Sequence, residues 1–69
     1  MSKYLIVIEK AGKNYSAFCP DMPGCIATGS TAKKAERNIQ EAIEFHLNGL
    51  KADGDKIPRN AAQAKYILV

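Results

Sequence analysis

Two cysteines, one histidine and seven carboxylates are the residues of this 69-residue chain whose chemistry could support catalysis or metal binding. Cys19 and Cys25 flank a proline-rich loop, and His46 lies well beyond them in a helical stretch. Two thiols leave a zinc site short of the four ligands it takes. The cysteines read as reduced, buried small hydrophobes, since a cytosolic compartment disfavours a disulfide across the loop. His46 falls inside an apolar helical stripe, where it reads as a core or interface histidine with one hydrogen-bond partner. A general base needs a substrate proton within about 3 Å and usually an orienting group, and the sequence nominates neither.

The carboxylates are Glu9, Asp21, Glu36, Glu41, Glu44, Asp53 and Asp55. Two-metal hydrolysis would need several of them converging on one open site. Glu36, Glu41 and Glu44 instead lie away from the apolar stripe or along its rim. Asp21 sits in a loop, where a short carboxylate caps nearby N–H groups. Gly24, Gly29 and Gly54 lack the Lys-Ser or Lys-Thr that completes a phosphate-binding loop, and read as turn residues. No enzyme activity, metal or cofactor is expected.

The elements that would position these residues are punctuated clearly. Lys3 to Lys10 is a strand apolar on both faces until Glu9, a pattern that suits a central, doubly covered position. Ala11-Gly12-Lys13-Asn14 is a turn with Gly and Asn where positive φ is wanted. Tyr15 to Cys19 returns as the second strand of an antiparallel hairpin. Pro20 and Pro23 end that strand, because neither can donate to a sheet ladder, and Cys25 to Gly29 forms a short third strand. A helix follows from Thr31 or Ala32 to about Leu50, with Ala35, Ile39, Ala42, Ile43, His46 and Leu50 on one face. Thr31 is its N-cap, with Ser30 the alternative, and Gly54 can take the left-handed terminal position. Ala64 to Val69 is a terminal β-type run. The expected fold is α+β with the order β-β-β-α-β, a mixed or antiparallel sheet with one helix packed on one face.

A single domain spanning residues 1–69 is expected. A chain of this length buries only about 60% of the surface its unfolded form exposes, so self-association or a partner protein is expected to complete it. The formal net charge is +3 and the isoelectric point about 9.0. The ten basic residues are scattered, and only Lys33, Lys34 and Arg37 cluster, as a possible anion contact. No apolar run approaches the roughly 18 residues a membrane span needs, and no secretory leader is recognisable, so the expected compartment is the cytoplasm. Phe45 stands about 120° from the centre of the helical stripe, a position that exposes it unless a second protein covers it.

Several spaced motifs together carry a family resemblance. Ala17-x-x-Pro20-Asp21-x-Pro23-Gly24-Cys25, then Gly29-x-Thr31-x-x-x-Ala35, then Asn38-Ile39-x-x-Ala42-Ile43 resemble the HicB family of antitoxins. Asp53-Gly54 followed by Ile57-Pro58 matches the family's segment after the helix, so the likeness covers roughly residues 3 to 59. Met22 replaces the usual Leu, Ser30 the usual Asp, and Lys33 and Lys34 stand where the family commonly has acidic residues.

The resemblance implies a partial ribonuclease-H-like domain without that enzyme's catalytic carboxylates. It implies a non-catalytic antitoxin that neutralises a HicA-type toxin, a small basic ribonuclease acting on messenger RNA, by protein–protein binding. The expected partner contacts are Phe45 and, in the Pro20–Gly24 loop, Asp21 and Met22, with a homo-oligomer also expected. A separate C-terminal DNA-binding domain, and hence direct DNA binding, is not expected. The alternative is a solitary oligomer acting as a basic RNA-binding module through Lys33, Lys34 and Arg37.

Overall fold

The computed structural model describes residues 2–69, which form β1 (Val7–Ala11), β2 (Asn14–Phe18), β3 (Ile26–Gly29) and α1 (Ala32–Asp53). The three strands make one antiparallel sheet in the order β1-β2-β3. Ala11 pairs with Asn14 across a two-residue loop, where Gly12 alone takes a positive φ, of 62°. That is the pattern of a type II′ turn, whose twist matches the flanking strands. Asn14 is thus a strand residue rather than a second positive-φ turn residue.

The expected central place of the first strand is corrected. β2 is central because it pairs with the strand before it and the strand after it, leaving β1 at an edge. The apolar character of β1 has a different origin. Ile8 aligns with Ala17 and Ala27 on the face that packs against the core, while Val7 aligns with Phe18 and Ile26 on the opposite face.

Residues 19–25 form two successive tight turns. Met22 N–H donates to Cys19 O at 3.0 Å, Cys25 N–H donates to Met22 O at 3.0 Å, and Cys19 N–H closes the loop on Cys25 O at 3.3 Å. Pro20 and Pro23 each occupy the position of their turn where a fixed φ near −65° is wanted. Gly24, at φ 85°, then supplies the positive φ that a type II turn requires of the residue after its proline. The result carries Met22 inward, where it is only 1% exposed.

Thr31 caps α1, its hydroxyl accepting from Lys34 N–H at 3.1 Å. Gly54, at φ 73°, closes the other end by donating to the last turn's carbonyls. Ala35 and Ile39 are buried against Ala17, Cys19, Met22 and Cys25, and this set is the core. Asn38 Nδ2 donates to Thr28 O at 2.7 Å and ties the helix to β3. Gly29 is not a turn residue: a Cβ there would meet Ala35 N, and would lie 2.8 Å from the Lys34 carbonyl carbon. Its missing side chain lets strand and helix backbones touch.

The helix is longer than the sheet it covers. Its 22 residues span about 33 Å, whereas strands of four and five residues span roughly 13–17 Å. The second half of α1 therefore overhangs, and His46, placed by helical angle in the apolar stripe, is exposed while Leu47 is half-buried. The core placement of His46 is corrected accordingly, because no core surrounds it.

The expected last strand is also corrected. Residues 55–69 carry no regular secondary structure. Tyr4 Oη donates to Pro58 O, and Asp21 accepts from the N–H groups of Ala61 and Ala62 at 3.1–3.2 Å. Beyond those contacts the run Ala64–Val69 lies clear of the sheet and finds no ladder. A β-type composition becomes a strand only where its backbone meets another to pair with.

Gly29→Ala is expected to destabilise the fold by about 1–3 kcal/mol, since the added methyl meets backbone that cannot rotate away. Thr31→Ala should cost about 1 kcal/mol through the lost cap. Urea denaturation of the two variants beside the parent checks both figures.

Candidate interaction surface

The helix covers only one face of the sheet, so the uncovered face is the first surface available to a partner. Its side chains follow from the strand register. Val7, Phe18 and Ile26 form an apolar row straight across the three strands, and Glu9, Ser16 and Thr28 form a polar row beside it. Ile26 is 63% exposed. The row is a product of the strand register, which the sequence alone does not supply. Strict alternation along short strands marks two faces but does not say which of them a single helix will cover.

Phe45 is 82% exposed on the overhanging half of α1, as its helical angle led one to expect. It borders a shallow groove with His46, Gly49, Leu50 and Asp53. Gly49 helps to leave that groove open, since nothing lies within 4 Å of the space a Cβ would fill. An aromatic ring standing beside such a hollow, with no cost of ordering left to incur beyond one side chain, is the kind of group that anchors protein interfaces.

A second and larger groove, of about 410 Å³, opens between α1 and the segment that leads into β1. Tyr4 and Ile6 form one wall and Ile39, Ile43 and Leu47 the other. It exists because α1 lies closer to β3 than to β1, so helix and sheet diverge toward the β1 side.

Asp21 and Met22 were expected to meet a partner, and the structure gives both other work. Met22 is a core residue. The Asp21 carboxylate is occupied by the two backbone N–H groups of Ala61 and Ala62, a long-range clamp that local capping did not foresee. Of the three expected contacts, Phe45 is exposed, Asp21 half-buried and Met22 buried.

Lys33, Lys34 and Arg37 are exposed on the first turns of α1. The topology brings β1 to its turn at this same end of the sheet, adding exposed Lys10 and Lys13 to the basic end. The apolar Phe45 groove lies toward the opposite end of the helix.

Both cysteines are free and buried. Burial pushes the Cys25 thiol pKa up from its ordinary 9.0, and the neighbouring Cys19 adds to the rise. Among the described residues no group of three or more His, Cys, Asp or Glu side chains is placed to hold a metal ion. Likewise, no helix there is long and apolar enough to cross a membrane.

Asp21→Ala is expected to leave the sheet and helix intact while the Ala61 and Ala62 amides exchange about tenfold faster or more, as amide exchange monitored by NMR would show. A second expectation concerns pH. A thiol whose folded-state pKa is raised contributes stability that is complete below the unfolded value and lost as pH rises beyond it. The urea midpoint should thus hold up to about pH 8.5 and fall above pH 9, less so in Cys25→Ala.

Comparison with known proteins adds sequence relatives to this geometry. The family described as "HicB_like antitoxin of bacterial toxin-antitoxin system" matches residues 4–67. A UPF0150 protein of Thermoplasma acidophilum is 40% identical over 62 residues, covering 88% of this chain and 90% of the relative. A UPF0150 protein of Synechocystis is 39% identical, covering 96% and 85%. A 14.9 kDa protein from the rep-hol intergenic region of Haemophilus phage HP1 is 39% identical over 93% of this chain, which spans about half (48%) of that relative's length. No solved structure matches.

Proposed function

The chain belongs to the HicB-like antitoxin family, and from that premise we propose that it neutralises a small HicA-type ribonuclease toxin in the cytoplasm by binding it, with no catalysis of its own. The observation that carries the reading is the exposed Phe45 beside its shallow groove. This chain has a formal net charge of +3, so attraction between opposite net charges cannot bring it to a basic toxin. The contact must draw on apolar burial, and Phe45 on the helix overhang is a surface of that kind. Phe45 would seat in the toxin, with the overhang of α1 laid across the toxin's active face.

A second reading is favoured by one observation, the gathering of Lys10 and Lys13 with Lys33, Lys34 and Arg37 at the other end of the molecule. These five cations could grip RNA backbone, and such binding weakens steeply with salt.

The two readings separate in one experiment. The purified protein is titrated with a HicA-type toxin encoded beside it, and with single-stranded RNA, at low and physiological salt. The antitoxin reading expects toxin binding, inhibition of messenger RNA cleavage, and a loss of about 30-fold or more in Phe45→Ala at unchanged folding stability. Binding that is indifferent to Phe45, or absent, removes it. Salt-sensitive RNA binding that is abolished by Lys33→Glu/Lys34→Glu would put the second reading in its place.

A further inference from the structure

The terminal run Ala64-Lys65-Tyr66-Ile67-Leu68-Val69 is the strongest unexplained feature of the molecule. Tyr66, Ile67, Leu68 and Val69 are each at least 81% exposed, although four consecutive large apolar residues belong in an interior. Their alternation is also informative. In a strand, Tyr66 and Leu68 would face one way and Ile67 and Val69 the other, so this run asks for a site that is apolar on both faces.

The sheet offers one such site. β1 is an edge strand. In a hairpin closed by a two-residue loop, the closing pair Ala11 and Asn14 exchanges both hydrogen bonds. By alternation the N–H and C=O groups of Ile8 and Lys10 then point away from β2, to the open edge. Below that edge lies the groove lined by Ile6, Ile39, Ile43 and Leu47; above it runs the apolar row that Val7 begins. A strand of six residues spans about 20 Å, close to the length of β1. The chain's own tail is held elsewhere: the Asp21 clamp fixes Ala61 and Ala62 beside the loop between β2 and β3, and the residues beyond it lead away from the body.

We propose that Ala64–Val69 of a second copy adds to the open edge of β1 as the fourth strand of the sheet, and that two chains exchange tails reciprocally in a two-fold dimer. One pair of tail side chains fills the helix–sheet groove, and the other extends the row Val7–Phe18–Ile26. Exchange satisfies an unpaired edge that would otherwise invite aggregation, and it closes on itself because each chain both gives and receives a strand. It supplies apolar burial to a core in which six of the described residues are buried. The inference is independent of the toxin reading.

The test uses the full chain, by sedimentation equilibrium together with amide exchange. The parent protein is expected to be a dimer at micromolar concentration with the Ile8 and Lys10 amides protected. Ile67→Glu/Leu68→Glu, which places one charge on each face of the tail, should weaken dimerisation by about 100-fold or more and release both amides. The helical signal of α1 in its circular dichroism should be unchanged, because the substituted residues touch nothing in the single chain. Lys10→Pro removes an outward N–H at an edge position that tolerates proline and should weaken the dimer by about tenfold. A monomeric parent overturns the proposal, whether or not those amides are protected. So does a dimer that resists both variants, or one in which Ile8 and Lys10 exchange freely.

Discussion

The double turn of residues 19–25 is the constraint on which the rest of the structure depends. It ends β2 and starts β3 within seven residues, so the sheet is antiparallel by necessity. Its backbone bonds draw Cys19 and Cys25 together and swing Met22 under the helix. Half of the buried core is thereby contributed by a loop. The same turn presents Asp21 outward to receive the chain after it leaves α1. The motif that identifies the family is therefore a folding device first; its conspicuous residues are used up in holding the molecule together.

The second governing fact is a mismatch of lengths. A helix of six turns laid on strands of four or five residues must run past the sheet, and residues on the overhang such as Phe45 and His46 face water unless a partner arrives. Amphipathic patterning continues along the helix as though the sheet continued too, which is why His46 looks internal on a helical wheel and is not. Phe45 and Leu50 around their shallow groove are the outcome. The cationic residues gather toward the other end, so the molecule has an apolar end and a charged end joined by one helix.

Both surfaces of the sheet bear on the same economy. A small domain with one helix can cover only one face, and the row Val7–Phe18–Ile26 is left on the other. Proteins of this size meet the shortage by association. In this chain the shortage is spread over three places, the open face, the groove beside β1 and the terminal run, and they adjoin in a way that one added strand would address.

Much of the architecture was legible in residue types and spacing. The hairpin around Gly12, the stop at Pro20 and Pro23, the Thr31 cap and the Gly54 terminus all follow from local backbone chemistry, which acts over a few residues and leaves its mark in the sequence. The exposure of Phe45 was legible for the same reason, because helical angle is a local property. The edge place of β1, the inward turn of Met22, the close approach at Gly29 and the clamp from Asp21 to Ala61 and Ala62 were not. Each depends on residues far apart in the chain meeting in space. The terminal run shows the division most plainly: its composition makes it a strand in waiting, and only the tertiary structure decides that within one chain it lies exposed and unpaired, because a strand needs a second backbone to bond with.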